Sequence, residues 1–207
     1  YEVVDIPEEY YLDESMFYID SNNIAFLNIV LDNDTSEYFN QFVKYNTISK
    51  EWSLYSNIEK RDNKSEYPIL LGLSIVNDTI IYACGFQKTG VADLAYDLVW
   101  KSTDKGKNWD RILKDSSAET FGLNYLSFRN EKHGIAVGSW SNIIETTDGG
   151  ETWRRYPESK AMASITSEIT WAGSSAIYTS DGKGIYRLET KSEVEELSSN
   201  EKFKVYQ

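Results

Sequence analysis

An eight-residue motif occurs twice in this chain of 207 residues and constrains its fold more than any other feature. VWKSTDKGKNWDRI (99–112) and IIETTDGGETWRRY (143–156) align without a gap on the pattern Ser/Thr-x-Asp-x-Gly-x-x-Trp. The pattern positions in the two copies are Ser102, Asp104, Gly106 and Trp109, and Thr146, Asp148, Gly150 and Trp153. The copies lie 44 residues apart, a spacing that indicates a repeated structural unit.

Two weaker copies of the motif lie on either side of this intact pair. FVKYNTISKEWSLY (42–55) keeps Trp52 five residues after Thr47, whereas GIYRLETKSEVEEL (184–197) keeps only a strand–turn–strand outline. Short apolar runs separated by Asn-Asp, Asn-Glu and Ser-Asn turns precede the copies, so each unit contains about four strands. Such units predict an all-β protein, a small or partial β-propeller with about four four-stranded antiparallel blades.

We expect a single propeller domain over 1–207. Its blades are predicted at 16–56, 67–113, 121–156 and 164–199, with flanking strands at 1–15 and 201–207. Pairing of the two flanks would close a ring and remove exposed sheet edges, but either flank could equally be a strand of an incomplete blade. A short helix is an alternative for 191–202, where analogy with the other units favours a strand.

The motif resembles the Asp-box of the BNR-repeat propellers. GIAVGSWSNIIETTDGGETW (134–153) is most similar to the photosystem II assembly (stability) factor-like branch of that superfamily. The resemblance implies that the motif lies between the third and fourth strands of each blade, on the face opposite the usual binding surface. Sialidases and sortilin-type receptors share the box, so the resemblance leaves the function open.

Turn chemistry gives the motif a structural role. Asp148 can accept hydrogen bonds from backbone N–H groups that a tight turn leaves unpaired, and Gly150 can supply a positive φ. Burial of the Trp153 ring would then contribute about 2 kcal/mol or more to the hairpin. The motif lacks the dense oxygen ligands that Ca²⁺ requires, so we expect no metal there.

Charge and composition disfavour several classes of function. The formal net charge of −12 disfavours binding to nucleic acid and to anionic membranes, and no apolar run reaches the roughly 18 residues of a membrane-spanning helix. Cys84 lies in an apolar run and is expected to be a buried, inert thiol. With His133 as the single histidine, neither a zinc site nor a histidine-based triad can be assembled.

A sialidase-type active site is not indicated. The resemblance would require three arginines around a carboxylate, an early Arg-Ile-Pro motif and a Tyr–Glu nucleophile pair. The available arginines are Arg61, Arg111, Arg129, Arg154, Arg155 and Arg187. Pro7 follows Ile6, but Asp5 occupies the arginine position. No pattern selects a catalytic pair among the 33 acidic residues either, so we predict a protein without enzymatic activity or cofactor.

The predicted binding surface is the face opposite the two motif hairpins. It would be formed by the loops between second and third strands and by the blade connections, at 31–40, 85–97, 138–142, 179–184, 57–68, 114–121 and 157–164. Candidate partner-binding residues in or beside them are Phe86, Gln87, Tyr96, Trp140 and Lys183. Aromatic side chains on loops are common interface anchors, although Trp140 could instead fold over its own blade.

Three functions remain after these exclusions. The main hypothesis is a binding or assembly module that recognises a protein partner, which the acidic charge suggests is basic. A glycan-binding or sialidase-like domain is the first alternative, and an acidic inhibitor or immunity-type protein that masks a basic effector is the second. The chain begins at Tyr1 rather than Met, which is consistent with either a removed leader or a trimmed N-terminus. Because propellers of the family that it resembles are often exported, we expect an extracytoplasmic (periplasmic or secreted), bacterial location.

Overall fold

The computed structural model describes eleven segments of the chain. They are 17–19, 24–30, 39–60, 68–88, 95–115, 122–138, 142–156, 169–171, 176–180, 185–189 and 204–206. Within these segments all regular structure is β-strand, and no helix occurs. The strands form four sheets of four strands, and every pairing is antiparallel between consecutive strands.

The four sheets follow one another along the chain. The first contains β1 (Phe17–Ile19), β2 (Ile24–Val30), β3 (Phe39–Asn46) and β4 (Glu51–Lys60). The second contains β5 (Pro68–Ile75), β6 (Ile81–Lys88), β7 (Ala95–Ser102) and β8 (Asp110–Asp115). The third contains β9 (Leu123–Phe128), β10 (Gly134–Gly138), β11 (Asn142–Thr146) and β12 (Arg154–Arg155). The fourth contains β13 (Ile169–Trp171), β14 (Ala176–Ser180), β15 (Ile185–Glu189) and β16 (Lys204–Tyr206).

Neighbouring sheets pack against each other in chain order. β3 contacts β5, β9 contacts β5 and β6, and β13 contacts β9. Consecutive four-stranded antiparallel meanders that pack on one another are typical of the blades of a β-propeller. The predicted fold class is therefore confirmed, and the two motif hairpins lie between the third and fourth strands of the second and third sheets.

The core is divided among the junctions between sheets. Side chains alternate along β6, so Tyr82 and Cys84 join the cluster shared with the third sheet while Ala83 joins the cluster shared with the first. Burial on both faces explains the apolar run 81–86 of this strand. Cys84 is fully buried, as expected, and burial raises the pKa of its thiol well above the usual range.

The C-terminal flank contributes a strand to the fourth sheet. Lys204–Tyr206 pairs with β15, with Tyr206 opposite Ile185. The sequence left the place of this flank open, and the structure assigns it to a sheet. The strand expected near 191–197 and the N-terminal flank 1–15 lie outside the described residues.

Candidate functional site

The first motif hairpin (102–109) joins β7 to β8, and its polar groups bond within the turn. Ser102 Oγ accepts the N–H of Gly106 at 2.8 Å and donates to Asp104 Oδ1 at 2.9 Å. Asp104 accepts the backbone N–H of Asn108 at 2.9 Å and its side-chain amide at 2.6 Å. Trp109 Nε1 donates to the carbonyl oxygen of Gly106 at 2.9 Å. The turn itself therefore uses both carboxylate oxygens of this aspartate.

The second motif hairpin (146–153) joins β11 to β12 and repeats these contacts except that of the indole, because Trp153 Nε1 is buried without a hydrogen-bond partner among the described residues. Thr146 Oγ1 accepts the N–H of Gly150 at 2.9 Å and donates to Asp148 Oδ1 at 2.8 Å. Thr152 donates its N–H to Asp148 Oδ1 at 2.9 Å and its hydroxyl to Oδ2 at 2.5 Å. Gly150 has a φ of 93°, which favours glycine. Trp153 lies edge-on to the ring of Phe128.

Hydrogen bonding lowers the pKa of both motif aspartates to about 2. For Asp104 the backbone N–H of Asn108 is the largest cause, followed by the Asn108 side chain. For Asp148 burial is the largest influence and raises the pKa, but the hydrogen bonds from Thr152 and Thr146 together outweigh it. Each hairpin is consequently held by an ionised carboxylate at neutral pH.

We predict that Asp148→Asn and Asp104→Asn lower the melting temperature by a few degrees at neutral pH and reduce its acid dependence. The folded pKa of about 2 lies below the ordinary value of ~3.9, so this stabilisation is present above pH ~4 and is lost as the pH falls towards 2. Thermal unfolding followed by circular dichroism from pH 6 to 2 (roughly the range of carboxylate titration) measures the melting temperature and its acid dependence. The exposed Asp78→Asn is the control, and a motif variant that melts like the parent at every pH would refute the role of its aspartate.

The motif hairpins also connect neighbouring sheets. Trp109 Nε1 lies 3.2 Å from Ser56 Oγ of the first sheet. The carbonyl oxygen of Gly149 accepts hydrogen bonds from Tyr82 OH and Lys101 Nζ of the second sheet, both at 3.1 Å. The hairpin end of the propeller is thus occupied by structural contacts, both within the turns and from each turn to the neighbouring sheet.

Three of the predicted partner-binding residues lie at the opposite ends of these strands. Gln87 and Tyr96 are directly opposite on β6 and β7. Lys114 Nζ donates to Gln87 Oε1 at 3.0 Å and lies 4.4 Å from the centroid of the Tyr96 ring. Phe86 instead packs against Gly122 of the third sheet, where an added Cβ would lie 2.4 Å from Phe86 Cβ. The structure therefore brings Gln87 and Tyr96 together and places Phe86 at a sheet junction.

The other two predicted residues, Trp140 and Lys183, lie outside the described residues.

The same end of the molecule contains an ion-pair network that the sequence did not indicate. Arg155 donates to Asp97 Oδ2 at 2.8 Å, to Asp115 Oδ2 at 2.9 Å and to Asn142 Oδ1. Asn142 Nδ2 also donates to Asp97 Oδ2 at 2.8 Å. Asp97 is fully buried. Burial raises the pKa of Asp97, although hydrogen bonds from Arg155 and Asn142 act in the opposite direction.

A second buried network lies between the third and fourth sheets. His133 Nε2 is 2.8 Å from Glu145 Oε1, and Tyr156 OH donates to Glu145 Oε2 at 2.5 Å. The Trp171 ring lies edge-on to His133, with centroids 5.0 Å apart. Burial, followed by the hydrogen bond to Glu145, raises the pKa of Tyr156 above its usual range. Glu145 is 5% exposed, and the partly buried Tyr156 packs in the same cluster as Trp171 of the fourth sheet.

Among the described residues, no group of three or more His, Cys, Asp or Glu side chains is placed to hold a metal ion. The described segments also contain no helix of the length and hydropathy needed to span a membrane.

Comparison with solved structures places the sheets in a known architecture. YCF48 from Cyanidioschyzon merolae matches with a TM-score of 0.57 and 14% identity, over 98% of this chain and 58% of that one. YCF48 bound to a D1 peptide matches with a TM-score of 0.50 and 11% identity, over 88% of this chain and 54% of that one. A protein of unknown function from Dyadobacter fermentans matches with a TM-score of 0.52 and 9% identity, over 84% and 48%.

These matches define the fold class. At such low identities they show the fold alone, and that fold is a β-propeller. The chain spans about half the length of the structures that it matches. Comparison with protein-family models gives no match, and comparison with curated proteins gives none either.

Proposed function

We propose that this chain is a non-catalytic propeller module of the Asp-box type that binds a peptide segment of a partner protein. Its binding surface is the face opposite the two motif hairpins. The likeness to YCF48 is the main support, because one of the matching structures is YCF48 bound to a D1 peptide. Because that match has 11% identity, we extend to this chain only the binding of a peptide and not the identity of the peptide.

The distribution of polar contacts supports the choice of face. At the hairpin end, Asp104 and Asp148 are engaged by their own turns. At the opposite end, Gln87, Tyr96 and Lys114 form a partly exposed group that combines an aromatic ring, an amide and a cation. Aromatic and polar side chains in such a combination are typical of protein interfaces.

Charge favours a basic partner segment. The net charge of −12 attracts cations over long distances, which accelerates association with a cationic peptide at low ionic strength. We therefore expect the association rate to fall as salt is added, while a neutral partner would show little change.

The test uses peptides selected from a random display library against the purified protein. We predict that Tyr96→Ala weakens the affinity for the selected peptides by about tenfold or more, the effect of losing an interfacial aromatic anchor. Ile48→Ala is the matched control, because Ile48 is an apolar side chain that is 80% exposed on the turn between β3 and β4. Isothermal titration calorimetry measures both affinities, and melting curves check that both variants are folded.

Unchanged affinity in the folded Tyr96→Ala variant, together with weakened binding in Ile48→Ala, would show that the binding surface lies at the hairpin end instead. Failure to select any peptide that binds the parent protein would refute the proposed function itself.

A further inference from the structure

Asp97 is an unusual buried carboxylate because its two oxygens have different surroundings. Oδ2 accepts hydrogen bonds from Asn142 and Arg155, each at 2.8 Å. Oδ1 is buried, and no described residue donates a hydrogen bond to it. An ionised carboxylate is stabilised by donors at both oxygens, so burial with one oxygen unbonded disfavours the charged form.

Arg155 has a second anionic partner in the same cluster. Its NH2 group lies 2.9 Å from Asp115 Oδ2, and the Asp115 side chain is 42% exposed. A proton taken from solvent onto Oδ1 would neutralise Asp97 and leave Oδ2 able to accept from Asn142. Arg155 would still retain a carboxylate partner in Asp115. The cluster thus has two arrangements. In one, Asp97 and Asp115 both pair with the guanidinium of Arg155, and in the other Asp115 alone does.

The groups that surround Asp97 come from four strands. Cys84 on β6, Asp115 on β8 and Arg155 on β12 are the described titratable or charged groups near it, and β11 contributes the neutral Asn142. The negative charge of Asp115 favours a proton on Asp97, whereas Arg155 opposes it. Burial keeps the Cys84 thiol neutral by raising its pKa, so this thiol adds no charge. Burial is also the largest influence on Asp97 and raises its pKa.

We propose that Asp97 is a proton-binding site at the junction of the second and third sheets. When Asp97 binds a proton, the ion pairing of Arg155 passes from the Asp97–Asp115 pair to Asp115 alone. The network links β7 and β8 to β11 and β12 at the end opposite the motif hairpins. The pH of the surroundings therefore decides whether Arg155 forms two ion pairs or one between these two sheets at that end.

Carboxyl-detected NMR on the isotope-labelled full chain tests this site directly. We expect the Cγ resonance of Asp97 to titrate at a pH above the ordinary range of aspartate, and the guanidinium resonances of Arg155 to shift with the same midpoint. Asp115→Asn should lower the midpoint of Asp97, because a neighbouring negative charge is removed. Asp110→Asn is the matched control: it removes an exposed carboxylate from the other end of the same strand and should leave that midpoint unchanged.

An Asp97 midpoint at or below the ordinary range of aspartate would overturn the proposal. An Asp97 that has not titrated when acid unfolds the protein would count against it equally. Arg155 resonances that stay constant through the Asp97 midpoint, or that shift in the Asp97→Asn variant as in the parent, would show that the proton does not redistribute the ion pair.

Discussion

The Arg155→Met variant is expected to be about 3 kcal/mol less stable than the parent protein at neutral pH. Methionine keeps an unbranched apolar side chain but removes the cation beside Asp97, which has no exposed surface. Asn142 is then the remaining donor to a buried negative charge. Urea unfolding followed by tryptophan fluorescence gives the difference in the free energy of unfolding.

The double variant Asp97→Asn/Arg155→Met should recover most of that loss. No charge is left buried in it, and neutral replacements of a buried ion pair often cost little. Asp97→Asn alone should be close to the parent, because Arg155 keeps Asp115 as a partner. A double variant no more stable than Arg155→Met would show that the arginine acts through packing rather than through charge.

The pH dependence of this cluster has a definite sign. Because burial raises the pKa of Asp97, the folded protein binds a proton there at a pH where the unfolded chain has lost it. The stabilisation that this bound proton gives to the folded state is fully present below the ordinary pKa of aspartate and is lost as the pH rises through the folded pKa of Asp97. The deficit of Arg155→Met should therefore shrink on acidification, in the opposite direction to the acid loss expected from Asp104 and Asp148.

The Gly138→Ala substitution is the second change with a large expected effect, on the order of 3 kcal/mol. A Cβ at Gly138 would lie 1.8 Å from the carbonyl oxygen of Gly122, so the backbones must separate at the start of the β9–β10 pair. Gly85 occupies the corresponding place in the second sheet, with an added Cβ 1.8 Å from Ile69 O. Such close backbone approach is a recognised reason for glycine within a strand.

Urea unfolding measures this effect too, and Thr147→Ala provides the control. Thr147 is exposed on the motif hairpin of the same sheet, so its truncation should change stability by less than about 0.5 kcal/mol. If Gly138→Ala unfolds at the same urea concentration as Thr147→Ala, the two strands do not approach each other as closely as the structure places them.

Local chemistry explains why the repeated units were predictable from the sequence. The hydroxyl, the carboxylate and the glycine of each motif act on backbone groups no more than four residues away. A single sequence therefore contains all the information that specifies these turns. Repetition of the motif then indicates repeated sheets, since each hairpin requires strands on both sides.

The charged network opposite the hairpins was not predictable, because its members are distant in sequence. Asp97 and Arg155 are 58 residues apart and meet through the packing of two sheets. The one local signal is an aspartate within AYDLVW, a strand that is otherwise largely apolar. Glu145 gives a similar signal within NIIET, and its partner His133 looks like an ordinary turn residue until β10 pairs with β11.

Hydrogen exchange with and without a selected peptide tests most directly whether the face opposite the motif hairpins binds the partner. The account predicts slower amide exchange on binding at the strand ends 84–88, 95–98 and 113–115, with no change in the hairpins 102–109 and 146–153. Protection confined to the hairpins, with the opposite strand ends unaffected, would contradict it.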